Sequence, residues 1–107
     1  GYIYRKKISY ILKKMGKKAT HEVKRALLSE KEIPKLIRLI EIAGFLQDKD
    51  FVDVLAEFSK HPDYEVKKTV ISALAEIGGS EAEKILSEMS RSSDIRISRL
   101  AAEKIKK

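Results

Sequence analysis

VKKTVISALAEIGGSEAEKILSEMSR, residues 66–91, reads as a helix, a Gly-Gly turn and a second helix. Val66, Val70, Ala73, Leu74 and Ile77 recur at helical spacing and form one apolar stripe, while Lys67, Lys68, Ser72 and Glu76 fall outside it. Asp63 precedes the stripe, placed to accept from a free amide of the first turn. Pro62 disfavours helix at His61. Gly78 and Gly79 end the helix, because glycine reaches positive φ at little cost. Ser80 is expected to cap the second helix, with Glu83 completing a capping box. Ala82, Ile85, Leu86 and Met89 form that helix's apolar face.

The pattern recurs when the chain is slid by 31 positions. Ala73-Leu74 then falls on Ile42-Ala43, Ile77 on Leu46, Ile85 on Val54, Leu86 on Leu55 and Met89 on Phe58. A further step sets Leu46 on Met15, Gln47 on Gly16, Val54 on Val23 and Phe58 on Leu27. In the other direction Val66 meets Ile97, Val70 meets Ala101 and Leu74 meets Ile105. One register holding across four copies signals a helical array.

The segment DYEVKKTVISALAEIGGSEAEKILSEM resembles a HEAT repeat, of the short kind also found in phycobilin-lyase-like families. The resemblance rests on Asp63, Val66-Lys67-Lys68, Ala73-Leu74 and Ile77-Gly78. The third unit matches well, the fourth over its first helix, the second moderately and the first weakly. It implies an all-α fold, a right-handed solenoid of about three and a half antiparallel helical hairpins. The units are about 3–30, 32–61, 62–92 and 93–107, in one domain read as a fragment of a longer chain. Fold is specified far better than function, because such arrays are scaffolds with unrelated uses.

At 107 residues the chain is long enough to bury ~65% of its unfolded surface. It has no cysteine, which excludes disulfides and thiolate zinc sites and fits a reducing compartment. No apolar run reaches the ~20 residues that cross a membrane. The expected compartment is the cytoplasm. Tyr2, Ile3 and Tyr4 followed by Arg5, Lys6 and Lys7 offer a second reading, the cytosolic domain of a membrane-anchored protein.

In chain order, residues 3–15 are expected to form a first helix with Ile8, Ile11, Leu12 and Met15 inward. Thr20 is expected to cap a second helix running to about Leu28 and burying Val23 and Leu27. Pro34 suits a first helical turn. Residues 34–46 are apolar on most sides, which places that helix between neighbours. Asp48 or Asp50 starts its partner, and a last helix from about Asp94 turns Ile97, Leu100, Ala101 and Ile105 inward.

The net charge of +7 is concentrated. Through Lys31 there are ten basic residues against two acidic ones, and the remainder has thirteen against fourteen. Lys6, Lys7, Lys13, Lys14, Lys17 and Lys18 are therefore candidates for binding nucleic acid or an acidic membrane surface. Asp50, Asp53 and Glu57 make an acidic strip at helical spacing, continued by Glu81 and Glu88. In the resembling family the second helices line the concave surface. That implies a protein partner there, with Asp50, Asp53, Glu57, Lys60, Glu81, Lys84, Glu88 and Arg91 as contacts. Together these readings imply a non-enzymatic interaction module.

Nothing in the sequence carries catalysis, a cofactor or a small-molecule substrate. His21-Glu22 stands alone as a His-Glu pair, since His61 is followed by Pro62. The acidic strip lacks the glycine turn and ligand order of a calcium loop. No phosphate-cradling loop or nucleophile elbow is present.

Overall fold

The computed structural model describes the backbone of residues 2–105, with side chains at Lys6 and Lys7 and from Tyr10 onward. Seven α-helices follow one another among these residues: α1 (Tyr2–Lys14), α2 (Lys17–Ser29), α3 (Ile33–Leu46), α4 (Val52–Phe58), α5 (Tyr64–Ile77), α6 (Ser80–Met89) and α7 (Ile95–Ile105). A 3-10 turn, Lys49–Phe51, leads into α4. No strand occurs among the described residues.

The turns between helices follow from a few residues. Asp63 Oδ1 accepts from the Val66 amide at 3.0 Å and starts α5, as its position in the sequence implies. Pro34 sits in the first turn of α3, where its missing N–H costs nothing. Gly16, Gln47 and Gly78 all take positive φ, at 67°, 56° and 71°. Gln47 is the one non-glycine among them, and its Nε2 donates to the Glu76 carbonyl at 3.2 Å, tying the α3–α4 turn to the end of α5.

The helices form two layers. In one, α1 meets α3, α3 meets α5 and α5 meets α7; in the other, α2 meets α4 and α4 meets α6. The core lies between the layers. Leu27, Ile40, Phe51, Leu55, Val66, Val70, Ile71, Leu74 and Ile97 are the largest fully buried side chains. The stripe of α5 is buried as its spacing requires, from Val66 to Ile77. On α3, Leu36, Ile40, Ala43 and Leu46 are buried and Ile37, Leu39 and Ile42 half-buried, consistent with a helix flanked by α1 and α5.

Gly44 permits a close approach between α3 and α5. A Cβ there would lie 2.8 Å from the Ala73 Cα and 2.6 Å from Glu76 Oε1, so only a bare Cα fits between α3 and α5. At the far end Arg96 pairs with Asp94 at 2.9 Å and stacks its guanidinium 4.0 Å from the Tyr64 ring, docking α7 on α5.

Several expectations are corrected. Thr20 does not cap α2. The helix already begins at Lys17 after the Gly16 turn, and Thr20 is a buried residue of its first turn. Ser80 does not form a capping box with Glu83 either. Gly79 occupies the cap position and its carbonyl receives the Glu83 amide at 3.0 Å. Ile11 and Met15 are exposed: among the described residues α1 packs mainly on α3, and Leu12 is the α1 side chain described against the core. The side chain of Ile8 lies outside the described residues. Ile97 and Ala101 are buried and Leu100 packs against the core, but Ile105 at the end of α7 is exposed.

Candidate functional site

Asp48 joins α2 to the turn that leads into α4. This residue ends the α3–α4 turn, where Gln47 has reversed the chain. Its Oδ1 accepts the Asp50 amide at 2.9 Å and so starts the turn that leads into α4. The same carboxylate receives the Lys17 ammonium at 2.8 Å and the Thr20 hydroxyl at 2.7 Å, both from α2. Burial alone would push the Asp48 carboxyl up, but the bonds from Lys17, the Asp50 amide and Thr20 together hold it below its ordinary value. The bonds to Asp48 and then Asp50 in turn raise the Lys17 ammonium.

The acidic strip is therefore strapped to the first unit. Lys17 bridges Asp48 and Asp50, the latter at 2.9 Å, and Lys24 pairs with Asp53 at 3.1 Å. The sequence reading grouped Lys17 with the lysines of α1, but in the structure it stands at the head of α2 beside these carboxylates. Between α4 and α6 runs an open groove of about 440 Å³. Val52, Ala56 and Ile85 give it an apolar part, and three lysines and four carboxylates surround them. Five candidates from the sequence come together there: Asp50, Asp53, Glu81, Lys84 and Glu88. Glu57, Lys60 and Arg91 are exposed beyond its lining.

Lys24 and Lys49 also line this groove, and sequence reasoning did not single them out. The signal for Lys49 was weak, since its stem packs over Gly79, the bare position of the next turn. The Lys17–Asp48 contact had a clearer signal. The two residues occupy equivalent places in successive units, 31 positions apart.

Of the first-unit lysines, Lys6, Lys7, Lys13, Lys14 and Lys18 are exposed. Lys14 lies 5.2 Å from the Tyr10 ring centre and Lys13 5.3 Å from that of Phe45. A second open groove, of about 410 Å³ and mostly apolar, is lined by Lys6, Lys7, Tyr10, Ile11 and Phe45. On the first-helix layer, burial and then the nearby Glu41 push the Glu76 carboxyl up, with Lys104 opposing. Among the described residues no three metal-ligating side chains cluster, and no helix is long and apolar enough to cross a membrane.

Two layers of short helices joined by tight turns, with a polar groove along one layer, define an array of helical hairpins. The family model for HEAT repeats matches residues 22–105, and the chain belongs to the HEAT-repeat family. Proteins of this family generally serve as scaffolds for protein–protein interaction. No curated protein and no solved structure gives a match.

Proposed function

We propose that the chain is a non-enzymatic, cytoplasmic interaction module that binds a protein partner along α2, α4 and α6. Its architecture in this reading is a right-handed superhelix of about three and a half hairpins repeating every 31 residues. Helix starts at Ile33, Tyr64 and Ile95 and positive φ at Gly16, Gln47 and Gly78 support that period. The observation that carries the function is the α4–α6 groove, where Val52, Ala56 and Ile85 lie among charges of both signs. An apolar part with a polar rim is the usual anatomy of a protein interface. The partner that fits has an apolar side chain for Val52 and Ile85, with basic groups for Glu81 and Glu88 and acidic ones for Lys84.

The test is affinity capture with the wild-type protein beside the triple variant Glu81→Lys, Lys84→Glu, Glu88→Lys, whose side chains line the groove. The expected result is a partner held by the first and weakened at least ~10-fold in the second, since close charge reversal at an interface costs several kcal/mol. Equal binding by both rules out this surface.

A further inference from the structure

The lysine excess of the first unit has a second face that the α4–α6 groove does not use. α1 lies against α3 and presents Lys6, Lys7, Tyr10, Ile11, Lys13 and Lys14 to solvent. Tyr10 is 57% exposed and Ile11 60% exposed, among the most exposed large apolar side chains described. With Phe45 of α3 they form the mostly apolar groove described above, and the methylene stems of Lys6 and Lys7 complete its walls. An apolar strip edged by ammonium groups thus runs along a helix of 13 residues, and among the described residues no helix covers it.

We infer that α1 docks on a bilayer surface carrying anionic lipid, lying flat with Lys6, Lys7, Lys13 and Lys14 at the phosphates and Tyr10 and Ile11 in the headgroup–acyl boundary. Both halves of the chemistry are needed for this occupant. The lysines supply attraction to the negative leaflet, and the exposed apolar side chains supply insertion. Lysine suits the geometry, because its long stem lies along the apolar strip while its head stays hydrated.

Three other occupants fit less well. A nucleic-acid duplex would use the lysines, since phosphate contacts dominate its affinity. It would leave Tyr10, Ile11 and Phe45 wet, however, and one tyrosine already under the Lys14 ammonium is no stacking platform for single strands. Away from α1, a long duplex would meet the carboxylates Asp50 and Asp53 on the second-helix layer. A further helical repeat stacked on this face would have to take four ammonium groups out of water. Inside the array, α3 and α5 meet through Gly44 and Ala73 instead. An acidic protein helix would satisfy the charges, yet the +7 chain keeps its excess where a flat anionic surface can meet all four lysines together.

The experiment is sedimentation of the 107-residue chain with vesicles of phosphatidylcholine alone, or with about 30% phosphatidylserine, at low and at about 0.15 M salt. Duplex DNA is titrated in parallel. Binding is expected to the phosphatidylserine vesicles only, weakening with salt and exceeding that to DNA. Reversing Lys6, Lys7, Lys13 and Lys14 to glutamate should weaken it at least ~100-fold. Ile11→Ser leaves the charge unchanged and should weaken it about 5-fold or more. The chain has no tryptophan, so Tyr10→Trp gives a single indole whose emission should move to the blue on vesicle binding. Far-UV circular dichroism of each variant should match the wild type, because the altered side chains are exposed.

Absence of binding to phosphatidylserine vesicles at low salt overturns the inference. So does tighter binding to DNA than to vesicles. Vesicle binding indifferent to Ile11→Ser, with no indole shift, overturns it as well, because the protein would then only adsorb by charge.

Discussion

The first unit and the third share one template and differ in their surroundings. In α5–α6 the apolar positions have helices on both sides, and Val66, Val70, Leu74 and Leu86 are buried. In α1–α2 the contacts among the described residues are with α3 and α4. Ile11 of α1, Met15 in the turn after it and Leu28 of α2 remain exposed. The difference teaches that apolar spacing marks where a side chain can be buried, while the number of neighbouring units decides whether it is. The first unit carries exposed lysine where the third carries contacts.

The sharpest way to break that comparison is to cut one apolar side chain of the stripe in each unit. Leu74→Ala, at a site with no exposure, should cost ~2–5 kcal/mol in urea unfolding. Ile11→Ala should change stability by no more than about 0.5 kcal/mol. Equal costs would mean that α1 is packed like α5.

A smaller effect is expected at the α3–α5 crossing. Gly44→Ala improves helix propensity by up to about 1 kcal/mol but drives a methyl into the Ala73 backbone. The net change in thermal unfolding should be a loss of ~1–3 kcal/mol. A stabilised variant would show that the two helices are not in close contact.

Next comes the strap between the first and second units. Asp48→Ala removes a cap and leaves Thr20 without its acceptor, for a loss of ~1–2 kcal/mol. Asp48 has a folded pKa below its unfolded one, so its contribution is complete above the ordinary value of 3.8 and disappears as pH falls through the lower folded value. The stability gap between wild type and Asp48→Asn should therefore be constant near neutrality and close in acid. A gap that widens in acid would reverse the assignment.

The smallest effect belongs to Lys24→Ala. It breaks an ion pair in which the Asp53 carboxylate is 74% exposed, worth at most ~1 kcal/mol and lost in high salt.

Much of this was legible in the residues. Asp63 behaves as a cap because Pro62 keeps the chain extended before it, and Gly78-Gly79 turn where the stripe ends. The false caps have a common physical cause. Thr20 and Ser80 each follow a glycine turn, and the turn itself supplies the helix start, through the Gly16 carbonyl for Thr20 and the Gly79 carbonyl for Glu83. A cap-forming residue type marks a helix start only where no glycine turn has already begun the helix. Gly44 was hidden among apolar neighbours, since nothing in a helical stripe distinguishes a glycine that is tolerated from one that a facing backbone requires. The Lys17–Asp48 contact joins residues far apart in sequence, legible only through the register. The charge excess of the first unit was visible in composition, but its division between Lys17 and Lys24 on the carboxylates and the lysines of α1 needed coordinates.

Native-state hydrogen exchange tests the central claim, that each unit is held by its neighbours, most directly. The account predicts graded protection, with amides of α5 exchanging at the highest opening free energy and those of α1 opening well below it, in a contiguous unit. One common free energy for α1, α3, α5 and α7 would contradict it, because the helices would then rise and fall together as a single closed core.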